Sequence, residues 1–505
     1  MPVVLLSGFA LLFFPCLASS QNAAAEAART WRQQHETQIL QQFIDLLALP
    51  NLASDADNVR LNASAIQQLL TARGVKNRLL ETPGAPPVVY GEILTPGAQR
   101  TIVFYAHYDG QPLNPKEWAT PPWQPVLREG PLDENPGTVA WPLSDRKIDP
   151  EWRLYARSAS DDKAPIIALT SGLEALHQSG ISLHQNVKFV FEGEEEAGSP
   201  HLAKILEANK DLLRADAWLI CDGPVHQTRR QLIVFGARGV FDVEITLYGP
   251  HHELHSGHYG NWVPNPAMML AQLLASMKDG DGHVLIEHYY DGIQPLSETE
   301  KRALRAAPDI DSQLREEFWI GHSDGNGRRL EDVLNEPSLN VRGMASARVG
   351  SQASNVIPSR AVATLDVRLV KGIDGAVEAS RILDHIRKQG YFVVDHEPDQ
   401  AELVAHPKVA KVIVNPGYNA SRTSMDLPIS QQVIRTTREA RGDIVLLPTS
   451  GGSVPLITIN DILGSPTILV PIANHDNNQH AANENIRIRN LWDGIELMSA
   501  LLAMN

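Results

Sequence analysis

Short apolar runs alternate with helical stretches along much of the chain, and this alternation restricts the fold to the α/β class. β-like runs occur at 101–106, 187–191 and 217–221, and a helical stretch at 165–180 separates the first two. The apolar runs are too continuous for strands with one solvated face. They are typical of a mainly parallel sheet that is covered by helices.

A different pattern begins near Gly239. Residues 241–249 and 361–370 alternate apolar and polar side chains, which is typical of antiparallel strands with one exposed face. Helical stretches lie near 266–278 and 375–389, and the first pattern then resumes. We therefore expect an α/β domain made of two segments, with an inserted α+β domain between them: 21–238, 239–416 and 417–505.

The first twenty residues carry no charge and are mainly apolar. The run is shorter than the roughly 20 apolar residues that a spanning helix needs, and it contains Pro15. Ala18 and Ser20 form a small-x-small cleavage site, so the sequence predicts a signal peptide at 1–20, although no basic residue precedes Arg29. We expect a secreted or periplasmic protein that leaves the membrane after cleavage, and an uncleaved anchor is the alternative.

Charge and cysteine content exclude two classes of protein. The formal net charge of -15 argues against a nucleic-acid partner, because phosphate binding requires clustered Lys and Arg. The two cysteines are Cys16, in the predicted signal peptide, and Cys221, in an apolar run. Cys221 is expected to be a buried small side chain, so a disulfide scaffold is excluded. Any metal site must then use histidines and carboxylates.

Acids and histidines follow the predicted strands at their carboxyl ends, where ligands bind in open α/β sheets. Each group alone has an ordinary explanation as a surface pair, a solvated loop, a helix cap or a turn. Their joint placement after successive strands indicates a site. The candidates are His107 and Asp109; Glu192, Glu194, Glu195 and Glu196; Asp222; His475 and His480; and Asp161 and Asp162, just before a helix.

Histidines and carboxylates without thiolates suit a catalytic zinc site. More than three such ligands suggest two metal ions about 3.5–4 Å apart, with a carboxylate between them. A spare Glu beside a ligand Glu is a candidate general base. An Asp two residues after a ligand His can orient the imidazole through its second nitrogen.

From about residue 30 to residue 505, the chain resembles the aminoacylase, carboxypeptidase G and carnosine dipeptidase family of two-metal peptidases. The resemblance implies a zinc-exopeptidase-type catalytic domain and an inserted domain that acts as lid and dimerisation surface. The matching motifs, in the order of the family, are AHYDGQP at 106–112, YARSASDDKAP at 155–165, FEGEEEAGS at 191–199, ICDGP at 220–224, LHSG at 254–257, SNVIPSRAVATLDVRLV at 354–370, GGSVP at 451–455 and HAANE at 480–484.

The resemblance implies a role for each matching position. The implied metal ligands are His107 and Asp222 for one ion, Glu196 and His480 for the other, and Asp161 as the bridge. The implied catalytic positions are Asp109, which orients His107, Glu195, the general base, and His255, which reaches the active site of a partner subunit. The implied substrate contacts are Asn355, Arg368, Gly451, Gly452 and Ser453, with Arg368 binding a carboxylate. Zinc is the expected metal, with manganese or cobalt as alternatives.

The chain departs from many relatives around the bridging position. Ala156, Ser158 and Ala164 stand where those relatives have glycines, which narrows the available backbone conformations. The insert from about 288 to 340 is most similar to the carnosine dipeptidase branch. The resemblance therefore implies an exopeptidase for dipeptides or short peptides with a free C-terminal carboxylate. An N-acyl amino acid amidohydrolase and a non-catalytic metal-containing binding protein are the alternatives.

Overall fold

A computed structural model describes residues 22–143, 147–452 and 456–505. The predicted signal peptide at 1–20 and the predicted substrate contact Ser453 lie outside these ranges. Among the helices in the described ranges, none combines the length and the apolar content that crossing a membrane requires.

The α-helices in the described ranges are α1 Ala23–Leu47, α2 Ala56–Ala72, α3 Lys163–Gln178, α4 Leu202–Ala208, α5 Lys210–Leu213, α6 Ser256–Tyr259, α7 Pro266–Met277, α8 Glu298–Ala306, α9 Asp311–Glu317, α10 Leu330–Val333, α11 Gly375–Lys388, α12 Gln400–Ala405, α13 Pro428–Arg441, α14 Leu456–Leu463 and α15 Ile488–Leu502.

The strands in the same ranges are β1 Lys76–Leu80, β2 Val88–Ile93, β3 Thr101–His107, β4 Val126–Arg128, β5 Thr138–Val139, β6 Arg153–Tyr155, β7 Asn186–Glu192, β8 Ala217–Ile220, β9 Leu232–Val234, β10 Gly236–Ala237, β11 Gly239–Tyr248, β12 Leu254–His255, β13 Ser338–Ser346, β14 Val356–Ile357, β15 Arg360–Leu369, β16 Phe392–Val394, β17 Val409–Tyr418, β18 Ser421–Arg422, β19 Val445–Leu447, β20 Thr467–Leu469 and β21 Asn485–Arg487.

The large sheet has the strand order β1-β2-β7-β3-β8-β20-β9-β19. The four strands from β7 to β20 run parallel, which confirms the predicted α/β core. The sheet is nevertheless mixed, because β1 and β2 add antiparallel pairs at one edge and β20 meets β9 in the antiparallel sense. Helices α1, α3 and α15 pack together on one face, and α4 and α14 contribute to a second core on the other.

A second sheet has the order β13-β15-β11-β17-β16. Its long strands β13, β15, β11 and β17 are antiparallel. For β11 and β15 this was predicted from their alternation. Along β15 every second side chain is buried against a core that includes residues of α7 and α11, and the opposite face is more open. The last long strand ends at Tyr418, close to the expected boundary at 416.

A small sheet with the order β21-β6-β4-β5 was not predicted. Its strands in the described ranges are two or three residues long, too short to show a periodicity. β6 and β21 pair in the antiparallel sense, with Tyr155 opposite Asn485. This pairing places the loop that follows β6 beside the loop that precedes β21, and both loops carry predicted metal ligands.

A buried ion-pair network joins the first and last described helices. Glu496 on α15 is 2% exposed and accepts hydrogen bonds from Arg29 at 2.9 Å and Arg32 at 3.3 Å, both on α1. Arg441 on α13 approaches the same carboxylate at 3.4 Å. Removing one partner of a buried ion pair is strongly destabilising, because the opposite charges stay desolvated.

We expect Glu496→Gln to lower the free energy of unfolding by about 3 kcal/mol, because the guanidinium groups lose their buried counter-charge. Denaturant unfolding followed by circular dichroism measures the change. Asp384→Asn is the control, since Asp384 pairs with Arg387 on the solvent side of α11 and should change stability by at most about 0.5 kcal/mol. Equal effects of the two substitutions would contradict the structural role of Glu496.

Candidate metal centre

Three adjacent parallel strands deliver predicted ligands to one edge of the large sheet. His107 is the last residue of β3, and Asp222 follows the end of β8. Glu195 and Glu196 lie in a short 3-10 turn just after β7. The three strands are neighbours, so their carboxyl ends bring these side chains together, as expected for an open α/β sheet.

Asp161 lies between two histidines that are far apart in the sequence. Its Oδ1 is 2.9 Å from Nε2 of His107, and its Oδ2 is 3.1 Å from Nε2 of His480. The same nitrogen of His480 is 3.3 Å from Oε2 of Glu196. The two oxygens of one carboxylate thus point to different histidines, which is the arrangement that a carboxylate shared by two metal ions requires.

Asp109 is fully buried and contacts both sides of the centre. Its Oδ1 lies 3.3 Å from Nδ1 of His107. Its two oxygens also accept the backbone N–H groups of Glu195 at 3.1 Å and Glu196 at 3.0 Å. One carboxylate therefore positions the imidazole of His107 and the turn that carries the two glutamates.

Asp162 has a larger place in the centre than the sequence indicated. The potential ligand atoms of His107, Asp162 and Asp222 lie within 4.8 Å of one another, as do those of His107, Asp161 and Glu196. Asp162 stands at the N-cap position of α3, but its Oδ2 accepts the backbone N–H of His107 at 3.3 Å. Its carboxylate thus faces the site rather than capping the helix.

The electrostatics of the cluster favour bound cations. Burial raises the pKa of Glu196 to about 7 and that of Asp222 to about 6, and it raises the pKa values of Asp162 and Glu195 well above their usual range. Burial acts in the same direction on Asp161, but hydrogen bonds with His107 and His480 lower its pKa below the usual value. Buried carboxyl groups at this density require positive charge to stay ionised. The cluster of nitrogen and oxygen ligands fits two divalent metal ions.

Two other acids of the run after β7 support the loop. Glu192 is fully buried and accepts a hydrogen bond from the hydroxyl of Tyr105 at 2.6 Å, and burial raises its pKa to about 7. Glu194 accepts the backbone N–H of His201 at 2.9 Å, and its carboxylate also lies 2.9 Å from the ring nitrogen of that histidine. The acidic run is therefore a folded turn and not a solvated loop.

The predicted catalytic residue His255 and the predicted substrate contact Asn355 lie side by side. β12 pairs with β14, and the N–H of Ser256 donates to the carbonyl of Asn355 at 3.0 Å. His255 is exposed and its Nδ1 accepts the N–H of Gly257 at 3.1 Å. Among the described residues, the side chain of His255 contacts Gly257 and the ring of His258 rather than a predicted metal ligand.

Arg368 and Gly451 lie at the junction of the two sheets. Arg368 is on the more open face of β15, with its Nε 3.2 Å from the carboxylate of Asp366. Gly451 follows Ser450, whose N–H donates to Gly236 at 2.8 Å. A Cβ on Gly451 would lie 3.1 Å from a methyl group of Leu334, just after α10, so the inserted part closes on this loop.

Glu484 and Asn51 contact the loop before Asp161. Neither residue was predicted to have a role. Glu484 is fully buried and accepts hydrogen bonds from this loop. Glu484 is the last residue of the HAANE motif, and this motif is the feature of the sequence that could have pointed to it. Asn51 is also fully buried and donates to the hydroxyl of Ser158 at 2.8 Å, but it stands in no motif.

Comparison with known proteins decides the family. Residues 103–504 match the model of peptidase family M20/M25/M40. The chain belongs to this family. The match covers the large sheet from β3 onward and the inserted sheet, so the expected resemblance, the α/β fold and the peptidase class are confirmed.

Relatives and solved structures in this family are similar over most of the chain. The Cys-Gly metallodipeptidase DUG1 of Candida albicans is 26% identical over 83% of this chain and 81% of its own length. The human Beta-Ala-His dipeptidase is 27% identical over 82% of this chain and 76% of its own. An M20 family metallo-carboxypeptidase from Sulfolobus solfataricus superposes with a TM-score of 0.73 at 26% identity, covering 92% of this chain and 98% of the other. Human carnosine dipeptidase 1, at 22% identity, shares the fold with a TM-score of 0.67 and coverage of 95% and 99%.

Proposed function

We propose that the protein is an exported dipeptidase that uses two zinc ions to hydrolyse the amide bond of a dipeptide or short peptide with a free C-terminal carboxylate. The position of Asp161 between His107 and His480, in a chain of a peptidase family, is the observation that carries the proposal. Two relatives named as metallodipeptidase and dipeptidase support the substrate class. Zinc is proposed because its usual ligands are histidine and carboxylate, while manganese and cobalt bind similar sites.

In this proposal the protein side chains transfer the proton and bind the substrate. When bound, the two metal ions supply Lewis acidity toward a water molecule and the substrate carbonyl. Glu195 accepts the proton of the attacking water and donates it to the leaving amine. Arg368 binds the substrate carboxylate through its planar guanidinium, which Asp366 orients at Nε.

Two copies of the chain are proposed to dimerise through the inserted domain, so that each copy completes the active site of the other. Four rings form a row that starts at His255. The distance between successive ring centroids is 4.5 Å from His255 to His258, 6.3 Å from His258 to Tyr259 and 6.5 Å from Tyr259 to Trp262. Trp262 is 81% exposed, and exposed aromatic side chains are enriched at protein interfaces. A partner covering this row would receive His255 at its own active site, where the imidazole would stabilise the oxyanion of the reacting carbonyl.

A substrate panel tests the function. We expect the mature protein, reconstituted with zinc, to release free amino acids from dipeptides, and we expect a chelator to abolish the release until divalent metal is added back. Amino acid analysis of parallel reactions with N-acyl amino acids separates the two enzyme classes. Turnover of the N-acyl compounds alone would favour the amidohydrolase, and two bound metals without any turnover would favour a binding protein.

Glu195→Gln should lower kcat about 10²- to 10⁴-fold, since the amide cannot accept the proton, while the metal content persists. Steady-state kinetics and elemental analysis of the same preparation measure the two quantities. Glu194→Gln is the matched control, because Glu194 contacts His201 rather than the centre. A variant at Glu195 with near-normal kcat would remove this residue from the mechanism.

Subunit mixing tests the role of His255. We expect His255→Ala and Glu195→Gln to be inactive separately, because each lacks one part of every site. After subunit exchange, random C2 pairing should restore about a quarter of the sites, each with Glu195 from one chain and His255 from the other. Sedimentation analysis establishes the dimer. A monomer, or exchange without recovered activity, would contradict the shared site.

A further inference from the structure

We infer that Glu484 is a positioning residue that fixes Asp161 relative to His480, and that the affinity of the centre for its metal ions depends on it. This inference rests on the proposed two-metal function. It adds a residue from outside the implied ligand set and assigns it an effect on metal binding that can be measured without turnover.

The carboxylate of Glu484 is fully buried and receives five hydrogen bonds from one short loop. Its Oε1 accepts the N–H of Ser160 at 2.8 Å, the hydroxyl of Ser160 at 2.9 Å and the N–H of Asp161 at 2.9 Å. Its Oε2 accepts the N–H of Ser158 at 2.8 Å and Nη1 of Arg157 at 2.8 Å. An ionised carboxylate has about four lone-pair sites, so its accepting capacity is fully used.

These bonds hold a strained backbone. Ser158 has a φ of 61°, in the left-handed region that non-glycine residues seldom adopt. Such a conformation persists only where the surroundings determine it. The N–H of Ser158 donates to Glu484, and its hydroxyl accepts from Asn51. These bonds hold the left-handed conformation at a position where many relatives have glycine.

The same network reaches the loop that carries His480. Glu484 is four residues after His480, and its own carbonyl accepts the N–H of Ala156 at 3.2 Å. Arg157 donates through Nη2 to the carbonyl of Ala481 at 3.3 Å. The loop before Asp161 therefore donates hydrogen bonds both to the carboxylate of Glu484 and to two backbone carbonyls of the loop that carries His480.

Two ligands that are far apart in the sequence thus depend on one side chain for their relative position. The backbone N–H of Asp161 donates to Glu484, and Asp161 lies three residues after Ser158, so a shift of the loop moves the bridging carboxylate directly. Residues that orient metal ligands typically change metal affinity 10- to 100-fold when they are replaced. A role in folding alone would change stability and leave the affinity of the folded protein unaltered.

Glu484→Gln tests the inference, because the amide keeps the size of the side chain but turns an NH2 group toward at least two donors in either orientation. We expect the dissociation constant for zinc, measured by competition with a chromophoric chelator on folded apoprotein, to rise about 10- to 100-fold. Activity should recover at high metal concentration with an unchanged KM for the dipeptide.

Glu496→Gln is the matched control, since this buried glutamate also binds arginines but lies on α15 away from the ligand loops. It should lower stability and leave the zinc dissociation constant unchanged. If Glu484→Gln does not fold, Ser160→Ala removes one of the five bonds and should still raise the constant about two- to fivefold, less than the loss of the whole carboxylate.

The outcomes separate the inference from the function on which it rests. A folded Glu484→Gln protein with the wild-type zinc constant, or an unchanged constant in Ser160→Ala, would overturn the inference. Wild-type protein that binds no divalent metal would overturn the proposed function instead.

Discussion

Carboxylates that are buried side by side repel one another unless cations balance their charge. The architecture of this protein holds several such groups together. Asp161, Asp162, Glu196 and Asp222 meet at one edge of a sheet, with His107 among them. Water is largely excluded from that edge, so the charges cannot be screened by solvent. The surrounding elements hold these groups against their repulsion, and a pair of divalent cations is the simplest counter-charge.

Much of the fold is readable in the sequence, because its central strands and long helices carry strong local patterns. The runs at 101–106, 187–191 and 217–221 became β3, β7 and β8, and 165–180 became α3. The small sheet could not be predicted, since strands as short as β6 and β21 have no periodicity and are fixed by their partner. β1, an edge strand with incomplete burial, was also missed, and so was β2 beside it.

In the candidate site, too, local patterns predict some residues, whereas contacts between distant parts of the chain determine the others. His107, Glu196 and Asp222 could be anticipated because each follows a strand whose apolar pattern is clear. Glu484 could be quoted as part of a motif but given no role, because Arg157 and Ser158, which it contacts, are more than three hundred positions earlier. The orientation of Asp162 toward His107 depends on how the backbone enters α3, which residue types alone do not determine.

The ion pair between Arg29 and Glu496 joins positions 467 residues apart, and this separation has a consequence for synthesis. At a translation rate of about 5 to 20 residues per second, roughly 20 to 90 s pass between the appearance of one partner and the other. During that interval the apolar face of α1, with Phe43 and Leu47, has no α15 to pack against. The nascent chain therefore carries a helix whose apolar face is only partly covered, by α3, until α15 leaves the ribosome.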